Sequence, residues 1–512
     1  MSDTAHARSE GSNGRALRLR RLGIDTSQEF VIYMPSSCAV CRSEGFEAQA
    51  QVRVRSGDRG LIARLNVVRS RLLPHGSAAL SESAWNYLGA REGDLVQVSH
   101  PDPVESLSRV RGKFYGRRFD AEAVRGILSD ILAGSYLDVH IAAFVLACGP
   151  GRLETEEMVA LTREMVDAGE RLDWGKGPIV DKHCVGGLPG NRTTMLVVPI
   201  VAAAGLTIPK TSSRAITSPA GTADAMETVA PVNLDLKRMR KVVDREGGCV
   251  VWGGAVHLSP VDDVLIRVER ALDIDSEGTL IASVLSKKKA AGSTHVVLDI
   301  PVGPTAKVRT AEEAGRLDES FSAVAEALGM KISVILSDGT QPVGRGIGPA
   351  LEARDVLAVL RGERGASEDL RTRAARLAGE LLDLAGKTAK GEGAAMARSI
   401  LDEGLAWKKF HAIAEAQGGF KEPPASLFAW EFASKRGGKV SLMDNRKIAK
   451  AAKLAGAPKA PSAGVDLRVK LGEKVEKGAP LFTLHAESEG ELAYAREYIE
   501  SHADMILVRE EP

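Results

Sequence analysis

A glycine-rich segment at residues 181–194 is followed directly by an apolar run, and this pairing constrains the fold more than any other feature. The segment reads Asp-Lys-His-Cys-Val-Gly-Gly-Leu-Pro-Gly-Asn-Arg-Thr-Thr, and the apolar run covers residues 195–204. Its glycines let a backbone approach an anion closely, and Thr193 or Thr194 at a helix start can add a hydroxyl beside the free N–H groups. The segment predicts a phosphate-binding turn. It is not a Walker A loop, because it lacks a Gly-Lys-Ser/Thr triplet.

A second polar segment follows another apolar stretch. Residues 210–227 read Lys-Thr-Ser-Ser-Arg-Ala-Ile-Thr-Ser-Pro-Ala-Gly-Thr-Ala-Asp-Ala-Met-Glu, with six Ser or Thr residues between positions 210 and 222. A solvated loop would explain the hydroxyls but not the apolar flanks. Two such loops, each after an apolar element, predict a shared pocket for an oxyanion.

The pattern of apolar residues changes along the 512-residue chain, whose length predicts three or four domains. Short β-prone runs fill the N-terminal part up to about residue 98. Helical spacing then appears in residues 124–132, with Asp120 as the expected N-cap and Gly134 as the stop. Beyond residue 181, strand-like runs alternate with helices, which indicates an α/β sheet covered on both faces. The pattern returns to β from about residue 428.

Composition restricts the partners. The chain has 68 Lys+Arg and 67 Asp+Glu, a formal net charge of +1, so no global field favours nucleic acid or an anionic membrane. The longest nearly apolar run, residues 195–208, is too short to span a bilayer. Residues 1–14 lack the apolar stretch of a secretory signal, so a cytoplasmic location is expected. Cys38 and Cys41 form a lone CxxC, for which a zinc or redox site is possible and a plain structural loop is favoured.

These segments resemble the thymidine phosphorylase family of nucleoside phosphorylases. The family's Lys-His-Ser-x-Gly-Gly loop corresponds to Lys-His-Cys-Val-Gly-Gly at residues 182–187, and its Ser-x-Arg…Gly-Thr-x-Asp-x-x-Glu signature corresponds to residues 212–227. Its Ala-Ser-x-Leu-Ser-Lys-Lys element lies at residues 282–288, and a further turn lies at 339–344. The N-terminal β module and the variant forms at residues 191–194, 213–218 and 302–307 are most similar to the long-chain branch that includes AMP phosphorylases.

Two departures from the family pattern affect the site. Cys184 stands where the family has a phosphate-binding serine, which weakens one expected phosphate contact. The aromatic residue that the family has a few positions after Asp262 is replaced by Val-Leu-Ile at residues 264–266, which alters the base pocket.

The resemblance and the residue pattern together predict a multidomain α/β protein of the nucleoside phosphorylase/phosphoribosyltransferase type. The expected parts are a flexible tail (1–16), a small β-rich domain (17–100), an all-α lobe (101–180, with a returning segment at about 262–288), an α/β phosphate-binding lobe (181–261 and 289–425) and a C-terminal α+β, barrel-like domain (426–512).

By resemblance, the activity is phosphorolysis of a pyrimidine nucleoside to free base and (deoxy)ribose 1-phosphate. The phosphate ligands it implies are Lys182, Gly187, Thr194, Ser212 and Thr222. For a pyrimidine, the implied base-side groups are His183, Ser283, Lys287 and either Arg267 or Arg270. For a purine nucleotide, Asp275 would be the proton donor, and the ligand would be surrounded by Ser213, Arg214, Ala215, Ile216, Thr217, Ser218, Ser283 and Lys307.

The sequence leaves three other functions open. An AMP phosphorylase-like enzyme would cleave a nucleoside 5′-monophosphate to base and ribose 1,5-bisphosphate. An anthranilate phosphoribosyltransferase-like enzyme would need acidic metal ligands beside the glycine loop, where no clear Asp-Glu pair stands. An inactive binding protein is the non-enzyme alternative, suggested by Cys184. The expected partners are small molecules and a second copy of the chain in a homodimer or larger homo-oligomer. No cofactor or metal is expected, with inorganic phosphate as co-substrate.

Overall fold

Alternating apolar residues close the first part of the chain into a small barrel. The computed structural model describes residues 16–26, 29–175, 177–215, 218–256, 258–272, 274 and 276–510. The barrel order is β1-β5-β2-β4-β3-β6. Its strands are β1 (Ala16–Arg21), β2 (Val31–Pro35), β3 (Gln51–Ser56), β4 (Arg59–Val68), β5 (Ser77–Leu80) and β6 (Leu95–Ser99), with helices α1 (Ala39–Glu44) and α2 (Glu82–Leu88) between them.

The barrel interior is formed by every second residue of its strands. Leu17 and Leu19, for example, point inward with Val52 and Val54, as the period of two in a strand requires. Both cysteines of the CxxC are buried free thiols, Cys38 as the N-cap residue of α1 and Cys41 within that helix. The predicted tail, 1–16, lies outside the described residues except for Ala16, which begins β1.

Three helices follow the barrel in the same compact unit, which comprises residues 1–149 and 263–272. They are α3 (Leu107–Phe114), α4 (Ala121–Leu132) and α5 (Asp138–Ala147). Asp120 caps α4 by accepting the Ala123 N–H at 2.7 Å, and Gly134 ends it with a φ of +71°. Both signals were readable in the sequence.

The second unit comprises residues 150–262 and 273–512. Its first helix, α6 (Thr155–Asp167), falls in the region 101–180 that the sequence predicts as one all-α lobe. The α/β part continues with β7 (Val180–Cys184), α7 (Thr193–Ala203), β8 (Ile208–Ser212), α8 (Thr222–Glu227), α9 (Leu236–Glu246), β9 (Gly248–Trp252), α10 (Pro260–Leu272), α11 (Glu277–Ala290), β10 (His295–Val302), α12 (Ala311–Ala327) and β11 (Lys331–Asp338). Helix α10 contributes residues to both units.

Parallel strands form the sheet of this α/β part. Strands β11, β10 and β7 pair in that order, and β8 pairs with β9. A parallel bridge between Ile179 and Thr207 joins β7 to β8, so the strand order across the sheet is β11-β10-β7-β8-β9. Helix α7 is buried on all sides in the main apolar core, which explains why its sequence is apolar without an amphipathic period.

The remaining elements follow in chain order. They are β12 (Gly346–Ile347), α13 (Pro349–Arg361), α14 (Glu368–Leu384), α15 (Gly393–Asp402), α16 (Leu405–Gln417), β13 (Phe428–Ala433), β14 (Gly438–Met443), α17 (Asn445–Leu454), β15 (Gly464–Leu467), β16 (Lys474–Val475), β17 (Pro480–Ala486), α18 (Glu489–Ser501) and β18 (Ile506–Arg509).

The C-terminal region contains two antiparallel sheets around its own apolar core, and these sheets do not close into one barrel. Their strand orders are β12-β15-β17-β13 and β16-β14-β18. The predicted combination of a small N-terminal β domain, helices, an α/β part and a C-terminal α+β part is confirmed. No helix in the described part of the chain has the length and apolar character needed to cross a membrane.

Candidate active site

The glycine-rich loop connects the carboxyl end of β7 to the start of α7. Such a junction directs helix N–H groups toward an anion. Gly190 has a φ of +73°, and a Cβ there would stand 2.0 Å from the Val343 carbonyl oxygen. Gly187 also has a positive φ, +51°, but faces open space. Close packing of the loop therefore requires glycine at position 190, whereas Gly187 lies beside an open volume.

A chain of hydrogen bonds fixes the lysine of this loop. The ammonium of Lys182, which is almost fully buried, donates to the Thr193 hydroxyl at 2.7 Å. Thr193 in turn donates to the Asn191 side chain at 3.0 Å. Asn191 donates to the Cys184 sulfur at 3.0 Å and to Asp299 at 3.3 Å. Lys182 is thus held by a hydroxyl, and it forms no ion pair with a carboxylate of the described chain.

Below the loop lies a buried charge cluster centred on Asp181. Its two oxygens contact the ammonium groups of Lys210 at 3.1 Å and Lys288 at 2.6 Å. Burial lowers the pKa of Lys288, although the Asp181 carboxylate opposes that shift. The pKa of Asp181 is below its usual range because both lysines favour the carboxylate against the cost of burial.

His183 and Cys184 end β7 close to these cations. Burial lowers the pKa of His183 well below its usual value, and the charges of Lys288 and Lys210 act in the same direction. His183 is therefore neutral at neutral pH. Burial, together with the nearby Asp299 carboxylate, raises the pKa of Cys184 to about 12, so its thiol is also neutral.

The second predicted loop starts at the carboxyl end of β8. Ser212 ends that strand, is 7% exposed, and its hydroxyl has no hydrogen-bond partner among the residues that the structure describes. The glycine loop reaches the second loop through Arg192, which donates to the Thr222 hydroxyl at 3.0 Å. Arg192 also pairs with the buried Glu352 of α13. Thr194, 6% exposed, lies in the first turn of α7.

The stretch between Ser212 and Thr222 is braced by carboxylates. Arg214 donates to Glu227 at 2.5 and 2.9 Å and to Asp224 at 3.2 Å. Asp224 also accepts the backbone N–H of Ala215 at 2.6 Å. These contacts give Arg214 a role in holding the loop. Ser213 is exposed and Ser218 is half-buried, while Ile216 and Thr217 lie outside the described residues.

The base-side residues on α11 form their own contact group. Lys287 donates to the buried Asp262 at 2.7 Å and to the Ser283 hydroxyl at 3.0 Å. Ser283 and Lys287 are four residues apart, so they share one helix face. Lys287 also stands among the cations that lower the pKa of His183, which places this group near the end of β7.

Lys307 is half-buried, and its Cβ would lie 3.3 Å from a Cβ at Gly186 of the glycine loop. Arg267 belongs to the first unit, where it pairs with Asp138 at 2.7 Å. Asp275, the predicted proton donor for a purine nucleotide, lies outside the described residues. Among the described residues, no group of three or more His, Cys, Asp or Glu is arranged to hold a metal ion.

Comparison with known proteins identifies the family. A family model described as "Glycosyl transferase family, a/b domain" matches residues 176–407, its helical bundle domain matches 109–169, and "Pyrimidine nucleoside phosphorylase C-terminal domain" matches 439–504. A relative from Polaromonas sp., named "Putative thymidine phosphorylase", is 59% identical over 97% of both chains. The chain belongs to the thymidine phosphorylase family. Its predicted membership of this family and its class, a pentosyltransferase enzyme, are therefore confirmed.

Further relatives cover the chain equally well. One from Acidovorax sp. is 56% identical over the full length of both chains, and one from Legionella pneumophila strain Paris is 57% identical over 96% of both. Both carry the same name, the first with the number 1. The crystal structure of anthranilate phosphoribosyltransferase from Thermus thermophilus, 21% identical, matches 60% of this chain and 98% of that chain with a TM-score of 0.51. That similarity shows the fold alone.

Several members of the site are absent from the sequence prediction. Lys210 and Lys288 belong to the buried cluster. Of the two threonines that the sequence offers at the helix start, Thr193 is the one that contacts Lys182. Arg192 is a further omission, because its partner Glu352 is 160 residues away. The sequence did indicate a role for Lys210 and Lys288 in one respect, because both lie in segments compared with the family motifs. Nothing in their local sequence distinguishes a buried lysine from a solvated one.

Proposed function

We propose that this chain catalyses phosphorolysis of thymidine or a related pyrimidine nucleoside, with inorganic phosphate as the second substrate. The products are the free base and (deoxy)ribose 1-phosphate. The names of the relatives and the C-terminal domain match at residues 439–504 support this substrate class. No cofactor is part of the proposal.

The proposal rests on the surroundings of the Lys182 ammonium group. Its ammonium is buried, yet within the described residues it contacts a hydroxyl and no carboxylate. A buried charge without a counter-ion is costly, so an anion at this place is favoured. The Ser212 hydroxyl, at the end of the neighbouring strand, has no hydrogen-bond partner among the described residues and would supply a donor for the same anion.

Phosphate needs positioning more than deprotonation, because it is already an anion at neutral pH. Lys182 would supply charge, while hydroxyls of Ser212, Thr194 and Thr222 and the Gly187 backbone would supply hydrogen bonds. One phosphate oxygen then attacks C1′, and the bond from C1′ to the base nitrogen breaks with its electron pair on the base.

The leaving base carries the developing negative charge. His183 is neutral at neutral pH, so it would assist by donating an N–H hydrogen bond, not as a pre-charged acid. Lys287 is oriented by Asp262 and Ser283 and would add positive charge on the base side. In this proposal, the two loops contact the attacking phosphate, and α11 and the end of β7 contact the leaving base.

The test is release of free base from thymidine, uridine, AMP, CMP and UMP by purified protein, with and without phosphate. The Lys182→Met variant should lose phosphate-dependent release, whereas the exposed Lys387→Met variant provides a matched control for losing one positive charge. Phosphate-independent release, or full activity of Lys182→Met, would contradict the proposal.

A second candidate is phosphorolysis of a nucleoside 5′-monophosphate, and the position of Lys307 favours it. Lys307 lies against the glycine loop at Gly186, where another cation suits a substrate with its own phosphate group. The same assay separates the two candidates. Cleavage of thymidine but not of AMP, CMP or UMP supports the nucleoside activity, and cleavage of the monophosphates but not of thymidine supports the monophosphate activity. Lys307→Met should weaken the monophosphate activity.

A further inference from the structure

A second polar cleft lies in the second unit, bordered by α13, the loop before α14, and the sheet that contains β12, β15 and β17. It encloses about 400 Å³, a volume that suits a small metabolite. Its described lining contains none of the residues assigned above to the phosphate site. It is rich in guanidinium groups, contributed by Arg345, Arg354, Arg361, Arg364 and Arg468.

The carboxylates of the cleft have other partners. Asp355 accepts the backbone N–H groups of Arg345 at 2.5 Å and Gly346 at 2.8 Å. Asp466 accepts from Arg468 at 3.1 Å. These contacts fix the backbone and the sheet edge.

The two other acidic residues both lie against Arg361. Glu422 pairs with it directly, and Glu363 lies 3.7 Å from it. Arg354 and Arg364 form no ion pair with any carboxylate of the described chain. Arg354 donates to a backbone carbonyl at 2.6 Å. The described lining therefore holds five arginines and four acidic residues, and two of the arginines stand outside any ion pair.

Two buried polar atoms of the lining are also unused. Ser367 is the N-cap residue of α14, yet its hydroxyl caps no backbone N–H. It is 7% exposed and has no hydrogen-bond partner within the described ranges. Nε2 of the half-buried His485 likewise has no hydrogen-bond partner among the described residues, and Nδ1 of that ring lies 2.8 Å from the Ser426 hydroxyl. Buried polar atoms are nearly always hydrogen-bonded, so these two indicate a missing polar ligand.

We propose that this cleft is a second binding site, for a phosphate monoester. The guanidinium groups of Arg354 and Arg364 bind the phosphate dianion, since their planar donor forks match its oxygens. The Ser367 hydroxyl donates to the same phosphate at the positive end of α14. Nε2 of His485 contacts a hydroxyl on the organic part of the ligand. This site is separate from the glycine loop and does not depend on the reaction proposed above.

The test is calorimetric titration of the full-length protein with ribose 5-phosphate, with ribose as the uncharged control. Arg354→Ala/Arg364→Ala should weaken binding at least about tenfold. The matched control is Arg376→Ala/Arg398→Ala, which removes equal charge from exposed positions and should bind as the wild type does. Ser367→Ala removes only an oxygen without a described partner, so it should fold normally and still bind several-fold more weakly.

A crystal structure with ribose 5-phosphate locates the site. We expect the phosphate between Arg354, Arg364 and Ser367. Equal binding by the wild type and both cleft variants would overturn the proposal, as would equal affinity for ribose or a ligand found only at the glycine loop. The titration needs no turnover, so its result stands whether or not the chain cleaves thymidine.

Discussion

The ammonium of Lys182 donates a 2.7 Å hydrogen bond to the hydroxyl of Thr193, and this contact joins the end of β7 to the first turn of α7. Strand and helix are thereby held on either side of the glycine loop. The bond orients a buried positive charge without neutralising it. That combination suits a residue that must meet an anionic substrate.

Removing the Thr193 hydroxyl tests this positioning role. Thr193→Val should raise the KM for phosphate about tenfold, because the Lys182 ammonium loses its orienting partner, while the KM for the nucleoside changes little. Thr193→Ser keeps the hydroxyl and should restore the wild-type value. Steady-state kinetics with each substrate varied in turn measures both constants. An unchanged phosphate KM in Thr193→Val would show that the contact is only structural.

Two glycines of the same loop should respond differently to alanine. Gly190→Ala places a Cβ against the Val343 carbonyl oxygen and should destabilise the fold by about 3–5 kcal/mol, from steric overlap and a left-handed backbone. Gly187→Ala meets no neighbour and should cost only about 1–2 kcal/mol. Thermal unfolding of the two variants measures the difference, and equal shifts in Tm would contradict it.

Cys184 should resist alkylation in the folded protein. Its pKa of about 12 leaves roughly 10⁻⁴ of the thiol as thiolate at pH 8. Iodoacetamide at pH 8 should therefore leave this residue largely unmodified, whereas denaturation in urea should expose it to rapid labelling. Mass spectrometry of the peptide that contains Cys184 follows both reactions. Rapid labelling without urea would mean that the thiolate is stabilised in the site.

His183 should make the fold sensitive to acid. Its folded pKa is lowered, so below its unfolded value of about 6.5 the unfolded chain gains a proton that the folded chain does not. The contribution of His183 to the free energy of unfolding is fully present above pH 6.5. It decreases toward lower pH, by at most about 1.4 kcal/mol per pH unit. His183→Gln should flatten the decline in Tm between pH 6.5 and 5. An equally steep decline in His183→Gln would contradict this role of His183.

Local sequence signals predicted much of the fold. Asp120 and Gly134 set the ends of α4 because capping depends on residues within a few positions. Thr310 likewise caps α12, where its side chain accepts the Glu313 N–H at 3.1 Å. The closure of the N-terminal strands into a barrel was not predicted, because closure depends on pairing between β1 and β6, which are distant in sequence.

For the site, too, some features could be predicted from the sequence and others could not. The sequence by itself determined the two polar loops that follow apolar elements, since glycine spacing and residue type are local properties, and the family resemblance added Lys182 and Ser212 as expected phosphate ligands. Only the tertiary structure decided that Lys210 and Lys288 share one buried carboxylate, Asp181. Those partners come from three separate elements, β7, β8 and α11. The cost of burying each charge depends on what the fold places beside it, and no pattern within one segment contains that information.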